Sequence, residues 1–130
     1  MTVYDSSVLI DYLAGRDAAV EYVHDHADEP ANAPPLLLFE VYQGEVFRSG
    51  TTDLDAVDDA LDWLRTVDTS AVVAREAAAL QNALRDRGDP LAARDAFIAG
   101  TAVTRNERLA VSDADFDIDG LRDVLDLDLV

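Results

Sequence analysis

Thr2-Val3-Tyr4-Asp5-Ser6-Ser7-Val8-Leu9-Ile10-Asp11-Tyr12-Leu13 is the stretch that decides the fold. Three residues of strand character run straight into an aspartate. Two small hydroxyl residues follow, and then Val8, Leu9, Tyr12 and Leu13 recur at helical spacing. Ser6 and Ser7 are expected to cap that helix and Gly15 to end it. A carboxylate placed where a strand hands over to a helix lies at the carboxyl edge of a sheet, which is where open α/β sheets bind their ligands.

Further along, Asp17 is expected to cap a second helix carrying Val20, Tyr22 and Val23, and a short strand is expected near Ala31 to Ala33. Pro34 and Pro35 suit a helix start. Leu36 to Phe47 is apolar nearly throughout and reads as a largely buried helix, with Glu40 in its middle. Asp53 to Leu64 reads as a helix and Thr66-Val67-Asp68 as an edge strand. A long alanine-rich helix spans Ala71 to Arg87, stopped by Gly88-Asp89-Pro90. A helix of small residues follows around Asp95 to Ala102, then strands at Leu109-Ala110-Val111 and Val124-Leu125. Short strands alternating with helices imply parallel βαβ units. The expected fold is α/β, a three-layer α/β/α sandwich on a central, mainly parallel sheet. Residues 1–130 are read as a single domain, without internal repeats.

Composition says more about surroundings than about chemistry. The net charge is -17, and all ten basic residues are arginine. Such a lysine-free acidic chain resembles haloarchaeal proteins, whose acidic surfaces stay soluble in salt that screens self-repulsion. A halophilic, cytoplasmic setting is therefore expected. A broad basic face for nucleic acid is excluded. Without cysteine there is neither a disulfide nor a thiolate site. No signal peptide is read at Met1, and no apolar run approaches the roughly 20 residues that span a bilayer, so no membrane role is expected.

Four acids stand apart from the solvated ones. Asp5 follows the first strand, Glu40 is embedded among apolar residues, Asp95 lies in the first turn of an apolar helix, and Asp113 follows a late strand. A lone buried carboxylate costs several kcal/mol or takes up a proton. Each has a simpler reading: a cap for Asp5 or Asp95, surface decoration for Asp113 and its neighbour Asp115, an ion pair with an arginine for Glu40. As a set they would repel one another at one sheet edge unless a divalent cation neutralised them. Oxygen donors without His or Cys select Mg²⁺ or Mn²⁺. Such a cluster suits hydrolysis of a phosphodiester. His24 and His26 lack any triad context, and there is no glycine-rich phosphate loop. An aspartyl-phosphate enzyme would need another aspartate where Ser7 stands and a lysine that the chain does not have.

Tyr4-Asp5-Ser6-Ser7, Glu40-Val41-Tyr42-Gln43-Gly44, Asp95-Ala96-Phe97-Ile98-Ala99-Gly100-Thr101-Ala102 and Ser112-Asp113-Ala114-Asp115-Phe116, in that order, resemble the four motifs of the PIN-domain family. Within the family they resemble the VapC-type toxin ribonucleases. The family commonly has threonine where Val111 stands, so its fourth acid corresponds to Asp113 or Asp115, with Asp113 preferred. The resemblance implies a metal-dependent endoribonuclease, the toxin component of a type II toxin–antitoxin pair. It implies Asp5, Glu40, Asp95 and Asp113 as catalytic residues. Of these, Asp5, Asp95 and Asp113 would hold Mg²⁺ or Mn²⁺. Glu40 would bind the ion through water or accept a proton from the attacking water. Ser7 and Asp115 would lie behind the ligands or touch substrate, and Arg94 and Arg105 are candidates for contact with the RNA backbone. An RNA substrate, a cognate antitoxin protein and a homodimer are the implied partners. The alternatives are a PIN-type RNA-processing nuclease outside a toxin–antitoxin pair, or a catalytically silent PIN-like binding module.

Overall fold

The computed structural model describes residues 1–130. Five short strands form one sheet, all parallel, in the order β3-β2-β1-β4-β5. They are β1 (Thr2–Tyr4), β2 (Ala31–Ala33), β3 (Leu64–Thr66), β4 (Arg108–Val111) and β5 (Leu127–Leu129). Seven α-helices connect them: α1 (Ser6–Leu13), α2 (Asp17–Asp25), α3 (Pro35–Phe47), α4 (Leu54–Ala60), α5 (Ala71–Asp86), α6 (Ala93–Arg105) and α7 (Asp119–Arg122). The chain steps outward from β1 to β2 and β3, then returns past β1 to β4 and β5. Right-handed crossovers in opposite directions place α1–α4 on one face and α5–α7 on the other. The packing agrees: α1 meets α2 and α3, while α5 meets α6 and α7. A three-layer α/β/α sandwich results.

The middle of the sheet is sealed on both faces. Val3, Leu109, Ala110 and Val111 are fully buried, with Val8, Leu9 and Leu37 on one side and Ile98, Ala99 and Ala102 on the other. Tyr4 is buried beneath Tyr22 and Trp63, each edge-on to it, and burial pushes its hydroxyl up to about 12. On the opposite face α5 and α6 lie unusually close. A β-carbon added to Gly100 would stand 2.8 Å from the Ala77 β-carbon and 2.9 Å from its backbone nitrogen. The run of small residues in α6 permits this approach.

Several sequence expectations need correction. Asp5, not Ser6 or Ser7, is the N-cap of α1: its carboxylate accepts from the Ser7 N–H. Ser6 and Ser7 are the first helical residues, and an aspartate in extended backbone is as good a cap as serine. Arg16 rather than Asp17 is the N-cap of α2, and Asp17 is its first helical residue. α4 stops at Ala60, because Leu64 is drawn into the sheet opposite Ala31. The last strand is Leu127–Leu129, since the Val124 and Leu125 N–H groups still bond back to the Leu121 carbonyl. α3 is not largely buried: only Leu37 and Val41 are, whereas Phe39 is 51% and Phe47 78% exposed. A helix that is apolar all round carries no record of which side faces the core.

Candidate functional site

The strand order reverses between β1 and β4, and the crevice outside the carboxyl ends of these two neighbours is the topological switch point. Asp5 leaves β1 there, and Ser112 and Asp113 leave β4. α6 begins nearby and presents Arg94 and Asp95 from its first turn. α3 contributes Glu40 from the next crossover.

Asp5 is almost wholly buried and firmly held. One carboxylate oxygen accepts from the Ser7 N–H at 3.1 Å and from the Ser7 hydroxyl at 2.5 Å. The Ser7 hydroxyl in turn accepts from the Ser112 N–H at 3.0 Å, tying the ends of β1 and β4 together. The other Asp5 oxygen faces Arg94 at 3.0 Å. Helix cap and strand junction thus coincide in one residue.

Arg94 is the centre of the arrangement. Its Nε and Nη2 grip Glu40 side-on at 2.8 and 2.7 Å, the bidentate geometry that suits a guanidinium and a carboxylate. Nη2 also meets Asp5 and, at 2.8 Å, the Ser6 hydroxyl, while Nη1 holds Asp95 at 2.8 Å. Ser6 bonds Glu40 as well, at 3.2 Å. One cation therefore bridges three carboxylates drawn from three separate elements. Its hydrogen bonds to Glu40, foremost, hold the guanidinium pKa above its ordinary value against the cost of burial. The Asp95 carboxyl pKa is raised too, which favours its neutral form: burial is the main cause, Arg94 opposes it, and the Asp5 and Asp113 charges add to the rise.

Asp113 stands apart from this knot. It is exposed and caps the 3-10 turn at Ala114–Phe116 by accepting from the Asp115 N–H at 2.9 Å. Its charge still reaches Asp95. Asp115 is exposed too, and its side chain makes no hydrogen bond within the chain. Ser112 has a buried hydroxyl without a hydrogen-bond partner. Arg105 lies away from the site, paired with buried Glu107. As arranged, no three Asp, Glu or His side chains stand close enough to hold a metal ion. The acids converge on a guanidinium instead. Their chemistry nonetheless fits a hard divalent ion: several carboxylates and hydroxyls, no sulfur, no imidazole.

The sequence singled out Asp5, Glu40 and Asp95, which the fold brings together, and Asp113, which it leaves at the rim. Arg94 as their shared counter-charge was missed. A signal was present: a cation in the first turn of a helix sits at the positive end of the dipole and needs compensating acids nearby.

Residues 2–119 match the PIN domain family. The chain belongs to that family. No curated protein matches this PIN domain. Its fold is similar to FitAcB from Neisseria gonorrhoeae, at 19% identity and TM-score 0.80, over 98% of this chain and 97% of that one. It is also similar to DNA-bound VapBC from Salmonella typhimurium, at 15% identity and TM-score 0.78, over 98% and 96% of the two chains. A toxin–antitoxin complex from Klebsiella pneumoniae matches at 23% identity and TM-score 0.75, over 92% and 94%. At these identities the likeness is one of fold. It runs nearly end to end in both partners, so this PIN domain has no large insertion relative to them.

Proposed function

We propose that this PIN domain is a metal-dependent endoribonuclease, the toxin half of a toxin–antitoxin pair. The observation that carries the reading is the convergence of Asp5, Glu40 and Asp95 at the switch point of the sheet, with Asp113 at its rim. Buried carboxylates in such a place are retained at a cost to stability, and that cost is expected where they do chemistry. Asp5, Asp95 and Asp113 would hold Mg²⁺ or Mn²⁺. When bound, the ion would acidify a water and offset the charge of a phosphodiester. The chain's own part is positional. Ser7 fixes the Asp5 carboxylate, Glu40, 29% exposed, would accept a proton from the attacking water, and Asp113 would close the rim.

Charge supports a role for the cation in substrate capture. Every arginine except Arg65 and Arg75 is paired with a carboxylate. Little free positive charge remains for an RNA backbone, so divalent ions would supply the attraction. The toxin–antitoxin reading rests on family membership and on the overall likeness to complexes of that kind. A cognate antitoxin and a homodimer follow as its partners, in a cytoplasm rich in salt. No helix is long and apolar enough to cross a membrane.

The test is cleavage of a labelled structured RNA in concentrated potassium chloride, with Mg²⁺, with Mn²⁺ and with EDTA, by the wild type and by Asp95→Asn. Cleavage that needs the metal and is lost in Asp95→Asn is the expected result. Cleavage that persists in EDTA or in the variant would remove the assignment. A second reading, a binding module without catalysis, is favoured by one observation, the engagement of three acids by Arg94. It predicts no cleavage under any of these conditions.

A further inference from the structure

We infer that Arg94 is a resident counter-ion of the carboxylate cluster, which a divalent cation must displace in order to bind. The inference rests on the metal reading above and adds to it an internal competitor encoded next to one of the ligands.

The geometry carries the argument. The guanidinium satisfies its donors on Glu40, Asp5, Asp95 and Ser6 at 2.7 to 3.0 Å, so it takes lone pairs of all three acids at once. With the acids so engaged, no three of them are positioned to share an ion. A divalent ion that draws on Asp5 and Asp95 needs the oxygens that Arg94 now occupies. Both cannot be served together, and two cations packed against one another would repel.

Three features let Arg94 leave. Its side chain is 33% exposed, whereas that of Asp5 is 2% exposed, so the cation has a path to solvent and the acid does not. It projects from the first turn of α6, where the helix dipole disfavours a positive charge. Only the three acids offset that cost, and an ion that neutralises them removes the reason for the guanidinium to stay. Charge favours the exchange as well. Against Asp5, Glu40 and Asp95 one guanidinium supplies a single positive charge, and a divalent ion supplies two. A released Arg94 would stand at the mouth of the site.

The test is the Mn²⁺ dissociation constant of the full chain in concentrated potassium chloride, measured calorimetrically for the wild type, Arg94→Gln and Arg94→Lys. Arg94→Gln removes the competing charge and is expected to bind Mn²⁺ at least about tenfold more tightly. It should also melt lower in EDTA and gain more on adding Mn²⁺. Arg94→Lys keeps a charge and guards against a variant that fails to fold. An ammonium cannot bridge three carboxylates as a planar fork does, so its affinity should lie between the other two. Wild-type binding with unchanged or weaker affinity in both variants would overturn the inference while leaving the metal site standing. Absence of Mn²⁺ binding in all three proteins would overturn the metal reading itself, and the inference with it.

Discussion

Asp5→Asn is expected to reduce metal-dependent RNA cleavage by on the order of 10³-fold while leaving the fold in place. The size follows from what a bound ion contributes to charge stabilisation in a displacement at phosphorus, several kcal/mol, at 1.36 kcal/mol per tenfold. The fold should survive because asparagine caps helices as well as aspartate does. Its single acceptor oxygen can keep the bonds that Ser7 now gives to one Asp5 oxygen. The amide nitrogen then faces Arg94, where a carboxylate oxygen now accepts at 3.0 Å. The damage therefore falls on charge at the site rather than on the junction of β1 and α1. Because that amide donor cannot accept from Arg94, thermal melts should place the variant about 1–3 kcal/mol below the wild type, still folded. In the wild type, Mn²⁺ at a hundredfold excess over its dissociation constant should add about 2.7 kcal/mol of stability, and in Asp5→Asn nearly all of that gain should vanish.

Gly100→Ala should be strongly destabilising. The new β-carbon would meet the Ala77 β-carbon at 2.8 Å and the Ala77 α-carbon and nitrogen at 2.9 Å. Backbone cannot move aside as the end of a side chain can, so α5 and α6 must separate. The cost is about 3 kcal/mol, or roughly 10 °C in Tm. The same substitution at Gly44, in the last turn of α3 with nothing within 4 Å, should stabilise by about 0.5–1 kcal/mol. Melting the two variants side by side separates steric cost from helix propensity. Equal effects of the same sign would contradict the close packing of α5 on α6.

The sequence made the layered fold legible because short apolar strands alternate with helices that have one apolar stripe. α5, with Val73, Ala77, Leu80 and Leu84 buried at helical spacing, is the clear case. Where the pattern was blurred, the reading failed. α3 is apolar all round, and which side faces the core is settled by its packing against α1. The end of α4 and the place of β5 were set by pairing across the sheet, which spacing along the chain does not record. The acids of the site stood out because their neighbours are apolar, so Asp5, Glu40 and Asp95 could be singled out one by one. Their common partner could not. Arg94 lies 54 residues from Glu40 and 89 from Asp5. An ion pair with an arginine was one of the simpler readings for Glu40, and the fold shows it together with the convergence of acids. Asp113 followed a strand as expected, yet it serves as a turn cap at the rim because the chain bends immediately after β4.

The chemistry of this PIN domain turns on whether its carboxylates take up a divalent ion. The direct measurement is anomalous diffraction at the manganese edge from crystals of the wild-type protein equilibrated with saturating Mn²⁺. The account predicts a manganese peak bound by Asp5 and Asp95, with the Arg94 side chain swung away from both. A map with no manganese there, and with the Arg94 guanidinium still bridging Asp5, Glu40 and Asp95, would contradict it.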